Sequence, residues 1–399
     1  MTNTACQFAS ALFDSPDPAV AVEAACQQVS EALAGAPDLA VCFVSHDHAP
    51  ALEQIVAELD RRLRPRVLLG CTGESIAGVG REIEQSPAIS LWAARLPGVT
   101  VLPMHLDFQR TPEGGSFTGW PDELPAQWPA GAALIMLAEP FSFPADTLLE
   151  RLGEDQPHVP IVGGMASGAF SPGENRVFLN HAVYDSGAVA VLLHGALQVD
   201  TVVSQGCRPI GRPLVVTKAD RNVIYELGGR PAMAQLQEIF NALPPHDQQL
   251  VQQGLHVGRV IDEYRQTFGR GDFLIRNVVG ADRATGAIAI GDFVRVGQTV
   301  QFHVRDSASA DEDLRALLDS VRSTEQAGAA GALLFTCNGR GTRLFDVPDH
   351  DAAAVQALLG DIPLAGFFAQ GEIGPVGGKN FLHGFTASVA VFRGKVTAS

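Results

Sequence analysis

Residues 362 to 392 read IPLAGFFAQGEIGPVGGKNFLHGFTASVAVF. An apolar run leads into a glycine-rich loop, and a second apolar run closes the segment. Short apolar runs bounded by glycine are typical of buried strands. Upstream, the run GALLFTC and the helical pattern HDAAAVQALLGD come before this segment. The order is therefore strand, helix, strand, glycine loop, strand.

The same order occurs twice more, closer to the start of the chain. One copy contains DLAVCFVS, ALEQIVAELDRRL, RVLLGCTGES and AISLWAARL, and the other contains AALIMLAEP, ADTLLERLGE, PIVGGMASGAFSPGENRVFL and GAVAVLLHG. Setting Pro160 against Pro363 aligns Gly168 with Gly371. We interpret the three units as an internal duplication, in which similar supersecondary units pack side by side.

A stretch of different character separates the second and third units. PLVVTKA and NVIYEL predict a hairpin, AMAQLQEIFNALP predicts a helix that Pro244-Pro245 ends, and AIAIGDFVRVGQTVQFHVR predicts antiparallel strands joined through residues 296 to 298. Antiparallel pairing excludes a plain doubly wound sheet, so we expect an α+β or mixed α/β fold. We predict two domains, residues 1–221 and residues 222–399, and each domain is built from the related units.

Composition excludes several classes of protein. The 399 residues are 46% hydrophobic and carry a formal net charge of −16, which on average repels nucleic-acid phosphates and anionic membranes. The start of the sequence lacks the pattern of a signal peptide, and no apolar run reaches the roughly 18 residues that span a bilayer. The six cysteines form no C-x-x-C pair, which indicates reduced thiols. We expect a cytoplasmic protein that does not insert into membranes.

The glycine loops are the first candidate site. Closely spaced glycines let the backbone approach a ligand, although they also serve simply to connect neighbouring strands. The loop does not match a phosphate-binding motif. Gly371-Glu372 recurs as Gly73-Glu74 in the first unit, whereas the second unit has Gly168-Ala169. A carboxylate in such a loop is either a solvated turn residue or a group aimed at a ligand amine or hydroxyl, and its repetition strengthens the second interpretation.

FTCNGRG provides the second candidate site. Arg340 could grip a carboxylate with its planar fork, and Asn338 lies beside it in the same turn. If Arg340 and Glu372 share one rim, the site suits an amino-acid-like ligand, and we add Asn380 and His383 behind the loop as further ligand-binding candidates. Cys337 is either a reactive thiol activated by its neighbours or an inert buried cysteine.

Histidines leave a further alternative open. His383, and His181 at the related place of the second unit, could each be a general base, a haem ligand or a core histidine. We expect no metal site at the His46 and His48 pair, because alternate residues of an extended segment face opposite ways. No nucleophile elbow, H-E-x-x-H helix or protease cysteine motif occurs, so binding is favoured over catalysis.

Five stretches together resemble one known family. GCRPIG, NVIYELGGRPA, DFLIRNVVGAD, CNGRG and the closing segment are similar to the FIST family, from about residue 39 to about residue 392. The resemblance implies a sensory module of bacterial signal transduction that binds a small ligand, with amino acids proposed for the family and haem-dependent nitric-oxide sensing in some members. The chain shows no kinase, cyclase, receiver or F-box segment, so we expect output through a separate partner such as a histidine kinase or cyclase.

Overall fold

The computed structural model describes residues 5–112, 114–323 and 328–395. The chain forms two compact units. The first, which we call the three-sheet unit, comprises the residues up to Val203, Leu314–Leu382 and the chain from Thr386 onward. The second, the barrel unit, comprises Ser204–Asp313 and His383–Phe385. The predicted division at 221/222 does not coincide with this partition, because it falls in a turn inside the barrel unit.

The first repeat of the three-sheet unit begins with an edge strand that the sequence patterns did not predict. Its elements are β1 (Gln7–Asp14), α1 (Pro18–Ala32), β2 (Leu39–Ser45), α2 (Leu52–Leu63), β3 (Val67–Gly73), the hairpin β4 (Ile76–Gly78) and β5 (Arg81–Ile83), and β6 (Ala88–Arg95). The predicted Asp-Pro start of α1 is present: the Asp17 carboxylate accepts a hydrogen bond from the Ala19 N–H at 2.9 Å, and Pro18 is the first helical residue.

The second repeat has the same order with one helix fewer. Its elements are β7 (Val99–Gln109), β8 (Ser116–Thr118), β9 (Ala133–Ala138), α3 (Ala145–Asp155), β10 (Ile161–Met165), the hairpin β11 (Val177–Leu179) and β12 (Ala182–Tyr184), and β13 (Ala188–Gly195). Every residue of β9 and β10 is buried, as expected for strands covered on both faces.

The barrel unit is inserted into the third repeat, after the edge strand β14 (Leu197–Gln205). It contains β15 (Cys207–Asp220), β16 (Val223–Leu227), β17 (Arg230–Pro231), α4 (Ala232–Ala242), α5 (Pro245–Gln253), β18 (Leu255–Val260), β19 (Phe273–Asp282), β20 (Ala287–Ile290) and β21 (Thr299–Arg305). These strands form one antiparallel sheet in the order β15-β21-β18-β19-β20-β16-β17. Because β15 also pairs with β16, the sheet closes on itself.

This stretch agrees with expectation in one detail and differs from it in two. The predicted hairpin of β15 and β16 forms. In contrast, β20 and β21 do not pair with each other, since β20 lies between β19 and β16 whereas β21 lies between β15 and β18. The first helix ends at Ala242, and Pro245 begins another helix at its first position, where a missing N–H costs nothing.

The third repeat resumes after the insertion. It comprises α6 (Ser307–Ser323), β22 (Gly331–Cys337), α7 (His350–Leu359), β23 (Leu364–Ala369), the hairpin β24 (Glu372–Val376) and β25 (Lys379–His383), and β26 (Thr386–Gly394). β23 lies parallel to β22, and the closing strand β26 lies antiparallel to β22 on its other side. The corresponding strands of the first and second repeats are arranged in the same way. The expected mixed α/β class is confirmed.

The repeats exchange their hairpins in a cycle. The sheet orders are β1-β6-β2-β3-β11-β12, β25-β24-β10-β9-β13-β7-β8 and β14-β26-β22-β23-β4-β5. The hairpin of the first repeat therefore completes the third sheet, that of the second completes the first, and that of the third completes the second. The glycine loops are the crossings through which each chain segment leaves its own sheet for a neighbouring one.

A glycine at one equivalent position lets the paired strands approach in each repeat. A Cβ added at Gly70, Gly163 or Gly366 would lie 1.9, 1.8 or 2.1 Å from a backbone carbonyl oxygen of the adjacent first strand. No side chain fits at such a distance. This glycine therefore accounts for part of the repeat pattern through strand packing alone.

Candidate functional site

A buried ion pair forms the centre of the candidate site, in the turn after β22. Arg340 and Asp351 are both fully buried, and the Asp351 carboxylate accepts hydrogen bonds from Arg340 Nε at 2.6 Å and Nη2 at 2.7 Å. Thr336 Oγ1 donates to the same carboxylate at 2.5 Å. Burial alone would raise the pKa of Asp351, but the Arg340 guanidinium outweighs it and holds that pKa well below its usual range.

The ion pair is fixed by the start of α7. Glu82, from the hairpin of the first repeat, accepts hydrogen bonds from the Asp351 and Ala352 N–H groups, each at 3.0 Å. It thus occupies the place of a capping side chain at the helix N-terminus. Burial, with the charge of Asp351 nearby, raises the pKa of Glu82 to about 8. The hairpin exchange therefore delivers a neutral carboxyl group from one repeat to the helix of another.

Glu372 lies at the start of β24 and is fully buried. Its Oε2 accepts hydrogen bonds from the Thr386 N–H at 3.0 Å and hydroxyl at 2.8 Å. Burial raises the pKa of Glu372 to about 8, against the opposing effects of Thr386, of the Arg340 charge and of a hydrogen bond with Cys337. At pH 7 this group is therefore mainly a neutral carboxylic acid, which can donate as well as accept a hydrogen bond.

Cys337 is the end of β22 and is partly exposed. Its Sγ lies 3.4 Å from the Gly339 N–H, which donates to it, and its thiol hydrogen bonds with the Glu372 carboxyl group. The end of β22 therefore places the partly exposed Cys337 next to the fully buried carboxyl group of Glu372.

Several buried polar atoms around this turn have no hydrogen-bond partner among the described residues. They are Asn338 Oδ1, Arg340 Nη1, Glu372 Oε1 and Glu82 Oε2. Buried polar groups are almost always paired, so a cluster of unpaired ones needs an explanation. An acceptor, a guanidinium N–H and two carboxyl oxygens together match a small polar molecule or ordered water.

The structure places the other predicted residues in connecting roles. Glu74 donates its N–H to Ser167 Oγ at 2.8 Å, and its carboxylate pairs with Arg343. Asn380 accepts from the Ile161 N–H at 2.9 Å and donates to the Val159 carbonyl at 2.8 Å, which links the β25 side chain to the segment that enters β10. The Asn380 amide is thus occupied by backbone groups rather than presented to a ligand.

Gly73 and Gly371 are both buried at the crossings. A Cβ at Gly73 would lie 3.0 Å from the Cβ of Phe367, and one at Gly371 would lie 2.9 Å from Leu382 Cδ1. Close packing against another repeat therefore explains Gly73, whereas Gly371 packs most closely against its own hairpin. The expected two-point grip of Arg340 on an external carboxylate is also changed, because Asp351 already occupies the Nε and Nη2 edge of the fork.

The two histidines proposed as haem ligands differ in setting. His181 is 77% exposed in the turn of its hairpin, with Nδ1 3.7 Å from Asp60 Oδ2, so its surroundings do not fit a haem pocket. His383 is buried and belongs to the barrel unit. Among the described residues, no group of three or more His, Cys, Asp or Glu side chains is arranged to hold a metal ion.

Two cavities in the described part of the chain lie elsewhere, along α1 and α2. Their volumes are about 340 and 310 Å³, and residues of these helices and of the segments beside them line both. None of the predicted site residues borders either one.

Comparison with known families identifies the chain. The family model of the FIST N domain matches residues 38–230, and that of the FIST C domain matches residues 232–375. The chain belongs to the FIST family. FIST domains are small-ligand sensory domains. In this FIST protein the two matched regions meet within the barrel unit, so the compact units do not follow the boundary between the N and C domains.

Relatives of this FIST protein occur in mycobacteria. Two uncharacterized proteins of Mycobacterium tuberculosis strains are each 47% identical over 372 residues, covering 93% of this chain and 95% of the relative. An uncharacterized protein of Mycobacterium bovis is 46% identical over the same length. The crystal structure of a cyanuric acid hydrolase from A. caulinodans overlaps 98% of the chain at 10% identity, but its TM-score of 0.34 supports no argument. No described helix is long and apolar enough to cross a membrane.

The sequence patterns missed the partners that define the site. Asp351, Glu82 and Thr386 gave no motif of their own, because each becomes informative only when the fold brings it to its partner. A weak signal was present in HDAAAV, where an acid opens a helix that is otherwise apolar. Nothing in the sequence indicated that Glu82 of the first repeat would contact the third repeat.

Proposed function

We propose that this FIST protein is a sensory module that binds a small, polar, amino-acid-like ligand at the turn of Cys337, Asn338 and Arg340 beside Glu372. The observation that supports it is the group of buried, unpaired polar atoms at that turn. Ligand binding would shift a conformational equilibrium and act through a separate partner such as a histidine kinase or cyclase.

The unpaired atoms suggest how such a ligand would be oriented. Arg340 Nη1, neither of whose N–H groups has a partner among the described residues, would donate to a carboxylate, while Asn338 Oδ1 and the Glu372 carboxyl would accept from an amine. A ligand ammonium group would favour the ionised form of Glu372. Because the pKa of Glu372 is raised to about 8 in the protein without ligand, binding an ammonium at pH 7 should release a proton.

Isothermal titration in two buffers of different ionisation enthalpy measures this release directly. Amino acids and short carboxylates are titrated at pH 7, and for an ammonium ligand we expect about 0.9 proton released per molecule bound, the protonated fraction of a group with pKa about 8. Glu372→Gln should abolish the proton release and Asn338→Ala should weaken binding. Glu150→Gln, an exposed acid on α3, is the control and should change neither.

A ligand whose heat of binding is unchanged by both Glu372→Gln and Asn338→Ala would remove the site from consideration. Release of a proton that persists in Glu372→Gln would show that another group titrates. Either result leaves the family assignment intact and overturns this location.

The setting of Cys337 supports a second candidate function, that of a thiol-based sensor. The thiol is partly exposed, accepts the Gly339 N–H and lies near the Arg340 charge. Cys6, also partly exposed, is a natural comparison because burial raises its pKa. Alkylation at pH 7 followed by peptide mass spectrometry should modify Cys337 faster than Cys6. Equal or slower labelling of Cys337 contradicts this candidate.

A further inference from the structure

One face of the barrel unit carries a second group of polar side chains, two of which have buried atoms without a partner among the described residues. His256 on β18 lies directly opposite His303 on β21, and Arg305 follows two residues later. Because side chains alternate along a strand, all three lie on one face, opposite to the apolar Phe302 and Val304. None of these residues belongs to the site around Glu372.

Arg305 has the edge of its guanidinium fork unfilled. Nε and Nη2 are buried and have no hydrogen-bond partner among the described residues. In contrast, the fork of Arg208 in the same unit is filled by the carboxylates of Asp247 and Asp306. The Nε and Nη2 edge is the one that binds a carboxylate or phosphate in two-point fashion. Leaving two such donors buried and unpaired is costly, which points to a ligand.

Phe385 supplies an apolar wall to this fork. The Arg305 Cζ lies 5.1 Å from the centre of the Phe385 ring. Phe385 has a φ of 70°, a left-handed conformation that is unfavourable for residues other than glycine. The Gly206 N–H, bonded to the Phe385 carbonyl at 3.0 Å, holds it there. The ring is thus kept in place beneath Arg305.

His256 adds an acceptor beside the fork. The ring is buried, with its centroid 4.4 Å from that of Phe385, and Nδ1 has no partner among the described residues. Burial, with the charge of Arg305, lowers the pKa of His256 to about 4, so the ring is neutral at pH 7. A neutral imidazole carries its proton on one nitrogen only, so Nδ1 accepts a hydrogen bond in the tautomer that is protonated on Nε2.

We propose that Arg305, His256 and Phe385 form a binding site for a small carboxylate with an adjacent hydroxyl group, separate from the site around Glu372. The carboxylate takes the two donors of the Arg305 fork, the hydroxyl donates to His256 Nδ1, and Phe385 excludes water from one side. A phosphate ion could also bind the Arg305 fork through its oxygens. It could hydrogen bond to His256 Nδ1 only through a protonated oxygen, because that nitrogen acts as an acceptor.

The test uses the full chain with glycolate, acetate and inorganic phosphate as probes. Isothermal titration should show glycolate binding several-fold more tightly than acetate, since only glycolate has the hydroxyl. Arg305→Lys keeps the charge but loses the fork, and should weaken both carboxylates at least tenfold. His256→Phe should remove the advantage of glycolate and leave acetate unchanged. The exposed Arg283→Lys is the matched control.

A second measurement needs no variant and so does not depend on folding. Phenylglyoxal modifies accessible arginines, and glycolate should protect Arg305 but not Arg283 in the wild-type chain, as read by peptide mass spectrometry. Equal modification of Arg305 with and without all three probes overturns the site. Protection by phosphate alone overturns the assignment to hydroxy carboxylates. Glu372→Gln should leave this protection unchanged, which separates the result from the function proposed above.

Discussion

Replacing Glu372 with glutamine should change how the stability of the three-sheet unit depends on pH. Glutamine has nearly the shape of the neutral acid, so the fold should persist. In the wild type, burial raises the pKa of Glu372 from 4.5 to about 8. For a carboxyl group whose pKa is raised on folding, the stabilising contribution is complete below the unfolded pKa and is lost as the pH rises towards the folded pKa.

The size of the effect follows from that shift. Between pH 5 and 7 the unfolded chain has ionised Glu372 and the folded chain has not, so wild-type stability falls by about 1.4 kcal/mol per pH unit from this residue. Glutamine does not titrate. The free energy of unfolding of the variant, relative to that of the wild type, should therefore rise by about 3 kcal/mol between pH 5 and pH 7 and should level off above about pH 8.

Urea denaturation followed by tryptophan fluorescence provides the assay. The three tryptophans, Trp92, Trp120 and Trp128, all lie in the three-sheet unit with Glu372, so the signal reports the relevant unit. The midpoint difference between variant and wild type is measured at pH 5, 6, 7 and 8. Glu150→Gln serves as the control for losing a charge. A difference that stays constant across this range would refute the buried, neutral carboxyl group.

Two further predictions concern the repeats. Asp351→Leu should destabilise the three-sheet unit by about 3–5 kcal/mol, because it leaves Arg340 buried and unpaired. Adding Arg340→Met should restore most of that loss, which urea denaturation of the two single variants and the double variant measures. Additive losses would contradict the pairing. Gly168→Ala should cost more than Gly173→Ala by roughly 1–3 kcal/mol, since both have positive φ but only the Cβ at Gly168 meets His46, at 2.4 Å. Similar midpoints for the two alanine variants would contradict the contact at the crossing.

Local patterns predicted most of the elements because short-range interactions determine them. The Asp17-Pro18 start of α1 and the apolar runs of β2, β9 and β22 need no distant contact to be recognised. The strand β1 was missed, since ASALF reads as apolar without a partner and becomes a strand by pairing with β6. The pairing of β20 was also beyond local reasoning, because one of its neighbours, β16, is distant in sequence and the other is the preceding strand β19 rather than the following strand β21.

The sequence by itself determined the repeated strand-helix-strand order and the family, and it singled out Glu372 and Cys337 as candidate residues, since each of these depends on residue type and spacing along the chain. Only the tertiary structure decided what those residues face. The exchange of hairpins brings Glu82 of the first repeat to Asp351 of the third, and the pair with Asp351 withdraws the Arg340 fork from an external carboxylate. The low polarity produced by this packing, rather than any motif, raises the pKa of Glu372 to about 8.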